Sequence, residues 1–332
     1  MSGMMRTLLA AIILLFSCAF GAISAHACTV AGTTTNLGSK SSYVVGTTAQ
    51  SGSGAAGLSC DILLAALSAH YVGFTIEAST FRLNGPNSNF IEFVASRTPG
   101  GAALAVNSFQ NLSSLSLVSL FAGTNNSVPL YFRTTAKAGL RAGLYTGTMT
   151  VRWYHSVCSL GVAVCLSSSN SPGIARPPGT FPGNWGTGTA VTLTIELTIE
   201  NDCFITAPNI NFNSAPVVSA FSAISQTIQI RCSAGAAYTV GLDNGRYADN
   251  GVRRMRSGTN HLSYDIFKSA SLTDRWGNVG SARRSSGSAD SNPAIYNSTT
   301  VQSFNYRAAI NPNQPTPPVG NYEDRIIVDV AF

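Results

Sequence analysis

Val191-Thr-Leu-Thr-Ile-Glu-Leu-Thr-Ile-Glu200 is the stretch that decides the fold. Val191, Leu193, Ile195, Leu197 and Ile199 fall on one side of an extended chain, and Thr192, Thr194, Glu196, Thr198 and Glu200 on the other. Successive side chains of a strand point to opposite faces, so this period of two predicts a strand with one face in a core and the other in water. Two further stretches alternate in the same way. Met149, Val151 and Trp153 share a face, as do Ile326, Val328, Val330 and Phe332.

Working outward from these strands, the sequence repeats. One unit opens at Cys28 and has its next cysteine at Cys60; a second opens at Cys203, followed by Cys232. Each unit later carries an aromatic-Arg step, Phe132-Arg133 and Tyr306-Arg307, and then a Gly-x-Tyr corner, Gly143-Leu-Tyr145 and Gly320-Asn-Tyr322. Short alternating strands bounded by Gly and Pro predict an all-β chain of two β-sandwich domains, 28–201 and 202–332. In the first unit a Gly/Pro/Ser-rich loop over 156–188 leads to the Val191–Glu200 strand. The second has no counterpart of that strand, which leaves Ile326, Val328, Val330 and Phe332 on an open edge. A strand from another chain would fill such a gap.

Composition agrees. Only 10% of the 332 residues are charged, 45% are apolar, and Gly numbers 31. The net charge of +6 is carried by arginine far more than by lysine. Arg246, Arg253, Arg254, Arg256, Arg275, Arg283 and Arg284 crowd one region and read either as a patch for anionic partners or as solvated loops. No basic stripe interleaved with aromatics points to nucleic acid.

Residues 1–27 read as a signal peptide. Arg6 precedes an apolar run over 8–16, and Ala25-His26-Ala27 fits a small-x-small cleavage site, with cleavage near Ala27. Cys18, after Leu15-Phe-Ser17, offers lipidation as an alternative. Of seven cysteines, six remain after cleavage: Cys28, Cys60, Cys158, Cys165, Cys203 and Cys232. An even count in an exported chain predicts disulfides. The spacing favours Cys28–Cys60 and Cys203–Cys232 as matching loops, roughly 3–4 kcal/mol each by loop entropy, and Cys158–Cys165 as a short one.

Cys203-Phe-Ile205 with Cys232, Tyr238-Thr-Val-Gly-Leu-Asp-Asn-Gly245 and the strand after Gly320-Asn-Tyr322 resemble the spore coat protein U domain, found in subunits of archaic (Csu-type) chaperone–usher pili. The first unit resembles a more divergent copy. The resemblance implies immunoglobulin-like pilins that lack a final strand. It further implies a periplasmic chaperone, an outer-membrane usher and a pilin subunit that donates the missing strand. A mature chain starting at Cys28 would have no donor segment of its own, and a subunit that only accepts a strand ends a polymer. The expected protein is thus a non-enzymatic pilus tip subunit, exported through the periplasm to the cell surface. It would serve adhesion or biofilm formation on an abiotic or host surface. A secreted coat or matrix protein and a carbohydrate-binding tip lectin are the alternatives.

In tip adhesins that this chain resembles, apolar loops contact surfaces. The leading candidate here is Val157-Cys-Ser-Leu-Gly-Val-Ala-Val-Cys-Leu166, where a Cys158–Cys165 bridge would hold Leu160, Val162, Ala163, Val164 and Leu166 in a tight loop. A loop already rigid loses little entropy on contact. Phe181 and Trp185, among Gly and Pro, form another candidate. Ile62-Leu-Leu-Ala-Ala-Leu67 reads as a short helix, an apolar finger or a core strand, and residues 112–121 read as a core strand. No catalytic motif is present and no cofactor is expected. His70, His155 and His261 are isolated and read as surface or loop residues.

Overall fold

The computed structural model describes residues 28–61, 64–66, 68–114, 117–162, 164–176, 182–269 and 272–332. Residues 1–27, where a signal peptide with cleavage near Ala27 is expected, and the candidates Ala163 and Phe181 lie outside the described residues.

The first half holds strands β1 (Cys28–Val30), β2 (Thr33–Ser41), β3 (Ser51–Cys60), β4 (Leu64–Ala66), β5 (Tyr71–Ser79), β6 (Arg82–Asn84), β7 (Phe90–Ser96), β8 (Phe109–Asn111), β9 (Ser127–Thr134), β10 (Gly143–Val162), β11 (Val164–Asn170) and β12 (Thr189–Glu200). Helices α1 (Ser42–Thr47) and α2 (Leu117–Leu120) are short. One layer runs β1-β3-β9-β7 and the other β8-β5-β10-β12-β2, with β6 joining β7 to β10 at a corner. Between the layers lies a core that includes Phe74, Phe93, Phe132, Tyr145 and Trp153. Trp153 hides its indole N–H by donating to the Ala56 carbonyl at 2.7 Å, as a buried donor must.

The second half holds β13 (Cys203–Thr206), β14 (Ile224–Cys232), β15 (Thr239–Leu242), β16 (Arg253–Ser257), β17 (Asn260–Phe267), β18 (Arg284–Ser285), β19 (Gln302–Ile310) and β20 (Val328–Ala331). Its layers run β13-β14-β19-β17-β16 and β18-β15-β20. A separate core packs Trp276, Phe304, Tyr264 and Tyr306 between them. Both halves are immunoglobulin-like β-sandwiches.

The repeat read from the sequence is present in the fold. Cys28 lies opposite Cys60 across β1 and β3, and Cys203 opposite Cys232 across β13 and β14, each pair bonded. Trp153 and Val151 face Phe74 and Ile76 on β5; Val330 and Val328 face Val240 and Leu242 on β15. The Tyr145 ring fills space that Gly85 leaves free, where a Cβ would collide with it.

Asn201 and Asp202 join the two sandwiches, and α1 rests on the second. Tyr43 meets the Phe204 ring at 4.4 Å and donates to the Arg231 carbonyl at 2.9 Å. The Ser42 and Ser233 hydroxyls are 2.6 Å apart and buried.

Three readings are corrected. The loop expected over 156–188 is half hairpin, because β10 runs on to Val162 and turns into β11. Among the described residues of 112–121 no strand forms. The Asn111 side chain accepts from Ser113 N–H and turns the chain there, and α2 follows, with Leu120 and Phe121 buried. The strand expected to run through Phe332 stops at Ala331, and Phe332 is exposed.

Candidate functional site

Two features stand out, one on each sandwich. The first is the β10–β11 hairpin. Its root belongs to the core, since Val157 and Cys158 are buried. Its far end does not: Val164 is 68% exposed and Leu166 76%. The Cys158–Cys165 bridge spans it. Leu160 and Val162 pair through their backbones with Leu64 and Ala66 of β4, so the described part of the 62–67 stretch, Leu64–Ala66, forms a strand beside the hairpin. His70, just after β4, pairs with Ser114. The three apolar stretches singled out in the sequence therefore meet at one end of the first sandwich. Trp185 is held elsewhere, with its ring 5.0 Å from that of Phe109.

The histidines near this end are not surface groups. His70 and His155 are both buried, and burial lowers each pKa from 6.5 to about 4; Arg176 adds to the effect at His70. Their spacing carried no sign of this, because the segments that bury them, Ser114 beside His70 and Val72 and Ser171 beside His155, are distant in the chain.

The arginines are also placed differently from either reading. Arg253 is fully buried. It donates to the Asp265 carboxylate at 2.7 Å and to the carbonyls of Leu242, Asp243 and Trp276 at 2.9, 2.7 and 2.7 Å. Burial lowers its pKa and Asp265 opposes that. Arg275 takes the other Asp265 oxygen at 2.6 Å. Arg284, also buried, donates to the carbonyls of Asn305 and Ser288. Arg283 pairs with Asp329 of β20. Much of the arginine cluster is internal stitching of the second sandwich, with its charge neutralised in place.

The second feature is the outer edge of β20. In the first sandwich β10 is clasped on both sides, by β5 and by β12. β12 runs antiparallel to β10 and parallel to β2, and buries Leu193, Ile195, Leu197 and Ile199. In the second sandwich β15 covers one side of β20, and among the described residues no strand covers the other. The burial follows suit. Met149, Val151 and Trp153 are completely buried under β12, whereas Ile326, Val328 and Val330 are only half-buried. Ile210 and Phe212, after β13, are partly buried against the same core. They follow Cys203 at the spacing by which Thr35 and Leu37 of β2 follow Cys28. The sequence gives no strand signal there, because residues 207–217 contain too many Asn and Pro.

Residues 189–329 match the Spore Coat Protein U domain. Among solved structures, one chain is similar at 28% identity and a TM-score of 0.71, over 92% of this chain and 100% of that one. It belongs to the CsuC–CsuE chaperone–tip adhesion subunit pre-assembly complex from archaic chaperone–usher Csu pili of Acinetobacter baumannii. The CupB6 tip adhesin from Pseudomonas aeruginosa matches at 10% identity over 85% of both chains, with a TM-score of 0.27. CfaE, the adhesive subunit of CFA/I fimbria of enterotoxigenic Escherichia coli, matches at 10% identity over 91% of this chain and 92% of that one, with a TM-score of 0.30. Those last two superpositions carry no argument. No curated protein matches the sequence.

Proposed function

We propose, for a chain whose residues 189–329 match the Spore Coat Protein U domain, that it is a non-enzymatic adhesin at the tip of a chaperone–usher pilus. On this reading residues 28–201 form the binding domain, and residues 202–332 form the domain that joins the pilus by accepting a strand. The unpaired edge of β20 carries the proposal, with Ile326, Val328 and Val330 half-exposed where their counterparts are sealed. Similarity to a chain of a chaperone–tip subunit complex supports it.

β12 gives the template for the incoming strand. It sets Leu197, Ile195, Leu193 and Val191 opposite Tyr145, Gly147, Met149 and Val151. Counted from the shared tyrosine corner, a donor in the same register sets four apolar side chains opposite Tyr322, Asp324, Ile326 and Val328. Each such side chain, fully buried, contributes roughly 1.5–3 kcal/mol. A periplasmic chaperone covers the edge first, and a pilin subunit replaces it after passage through the outer-membrane usher. Left uncovered, the edge is a template for aggregation.

The exposed Val164 and Leu166 on a bridged hairpin suit an apolar contact with an abiotic or host surface, and so biofilm formation. Immunogold labelling of the native cells tests the assignment. Label confined to fibre ends is expected, and a uniform coat over the surface would instead indicate a matrix protein.

A further inference from the structure

Beneath the exposed hairpin, one residue links two of the segments that build the tip, by its backbone to Ser114 and by its ring to the hairpin root. His70 follows β4 by four residues. Its N–H donates to the Ser114 carbonyl at 2.9 Å, and its own carbonyl accepts from Ser114 N–H at 3.0 Å. Its Nδ1 accepts the backbone N–H of Cys158 at 3.3 Å, at the root of the β10–β11 hairpin. The ring is fully buried, and Nε2 has no hydrogen-bond partner.

The surroundings tolerate only the neutral ring. An Nδ1 that accepts leaves the proton on Nε2. The charge acting on His70 is the Arg176 guanidinium. Arg176 lies over the Tyr71 ring at 5.1 Å and donates to the carbonyls of Ala69 and Ser156. On β10 the neighbouring titratable group is His155, buried, with an unpartnered Nδ1. Among the described residues no ion pair supplies a carboxylate to either ring. A second proton on His70 would turn its acceptor into a donor facing Cys158 N–H, and would bury a cation beside Arg176.

We propose that His70 is the positioning residue of the tip: with its backbone paired to Ser114, its neutral ring holds the root of the β10–β11 hairpin through Cys158 N–H, and the protonated ring releases that root together with the β4 strand paired to the hairpin. The consequence for adhesion rests on the apolar-tip reading above; the pin itself does not. The sign follows from linkage. The closed form holds His70 at a pKa of about 4 and a freed ring returns to 6.5. The closed form is therefore at full strength above pH 6.5 and weakens as pH falls toward 4. Over that interval the opening equilibrium shifts on the order of 100-fold.

Hydrogen exchange on the full chain at pH 7 and pH 4, corrected for intrinsic rates, reads this directly. Residues 64–66 and 156–170 should lose at least about tenfold in protection at pH 4, while β12 keeps its own. His70→Asn places an oxygen near the Nδ1 position without titrating, and should abolish the response; His155→Asn should retain it. Should His70→Asn fail to fold, the His70 ring titration followed by NMR in the unaltered chain decides, with a midpoint near 4 expected. Equal protection at both pH values, an unchanged response in His70→Asn, loss of it in His155→Asn, or a midpoint near 6.5 overturns the pin. Retention on polystyrene is measured in parallel, with binding at pH 7 and release at pH 4 expected. A tip that opens in acid yet never binds polystyrene supports the pin and counts against the adhesion reading alone.

Discussion

Tyr145 and Tyr322 make the same bond: each hydroxyl donates to the carbonyl four residues upstream, to Arg141 at 2.9 Å and to Pro318 at 2.7 Å. This tyrosine corner fixes where the chain enters β10 and the approach to β20. With the corners aligned, Trp153 corresponds to Val330 and Val151 to Val328, and both pairs face equivalent partners on β5 and β15. At this edge the two sandwiches differ in the strand that lies beside it, β12 in the first and none among the described residues of the second.

The corner itself makes the first prediction. Tyr145 is buried, so Tyr145→Phe strands the Arg141 carbonyl and should cost about 1–2 kcal/mol in denaturant unfolding. Tyr322 is only half-buried, so Tyr322→Phe should cost less. An equal or larger loss at Tyr322 would contradict the comparison.

Arg253 is expected to be the most sensitive charged position of the second sandwich. Removing it takes the donor from three carbonyls and one of the two arginines from the Asp265 carboxylate, which keeps Arg275. Arg253→Ala should lower stability by about 3–5 kcal/mol. Arg325, exposed and in no ion pair among the described residues, should tolerate Ala within about 0.5 kcal/mol. Urea titration of the two variants beside the parent chain checks the contrast.

Charges placed on the hairpin end should abolish surface contact without disturbing the fold. Val164→Asp and Leu166→Asp alter exposed side chains, so the melting temperature should stay within a few degrees, about the effect of 0.5 kcal/mol. Retention on polystyrene should fall sharply in both. Unchanged retention would remove the hairpin from the binding surface.

Acid should destabilise the first sandwich before carboxylates are protonated. His155, like His70, is held at a pKa of about 4 by burial, against 6.5 when unfolded. Its contribution is intact above pH 6.5 and lost as pH falls toward 4, roughly 3 kcal/mol at the limit. Denaturant midpoints measured from pH 7 to pH 4 should decline over that range. A flat profile would show that the ring is not buried in solution.

The strands of each sandwich were legible where one face meets the core and the other meets water, as at Val191–Glu200. β11 was not, because its Leu166-Ser-Ser-Ser-Asn170 run projects beyond the core and has no buried face to impose alternation. The end of the chain showed the reverse. Its alternation suggested a strand through Phe332, but with one edge unpaired only Val328–Ala331 holds strand geometry. The three apolar tip stretches were visible singly; their meeting depends on the β4–β10 pairing and the His70–Ser114 bridge, which join residues far apart in sequence. The arginines looked like surface charge because their carboxylate partners, Asp265, Asp290 and Asp329, come from other strands and loops.

The central claim is that the second sandwich accepts a strand along β20. The most direct measurement is hydrogen exchange at the outer-edge amides of β20 with and without a peptide of the sequence Thr189–Glu200, which already fits the equivalent edge of β10. The account predicts that the peptide protects those amides and raises the melting temperature of the second sandwich, and that a peptide carrying Asp in place of Leu193 and Ile195 does neither. Full protection of the β20 edge in the chain alone, as a stable monomer, would contradict it.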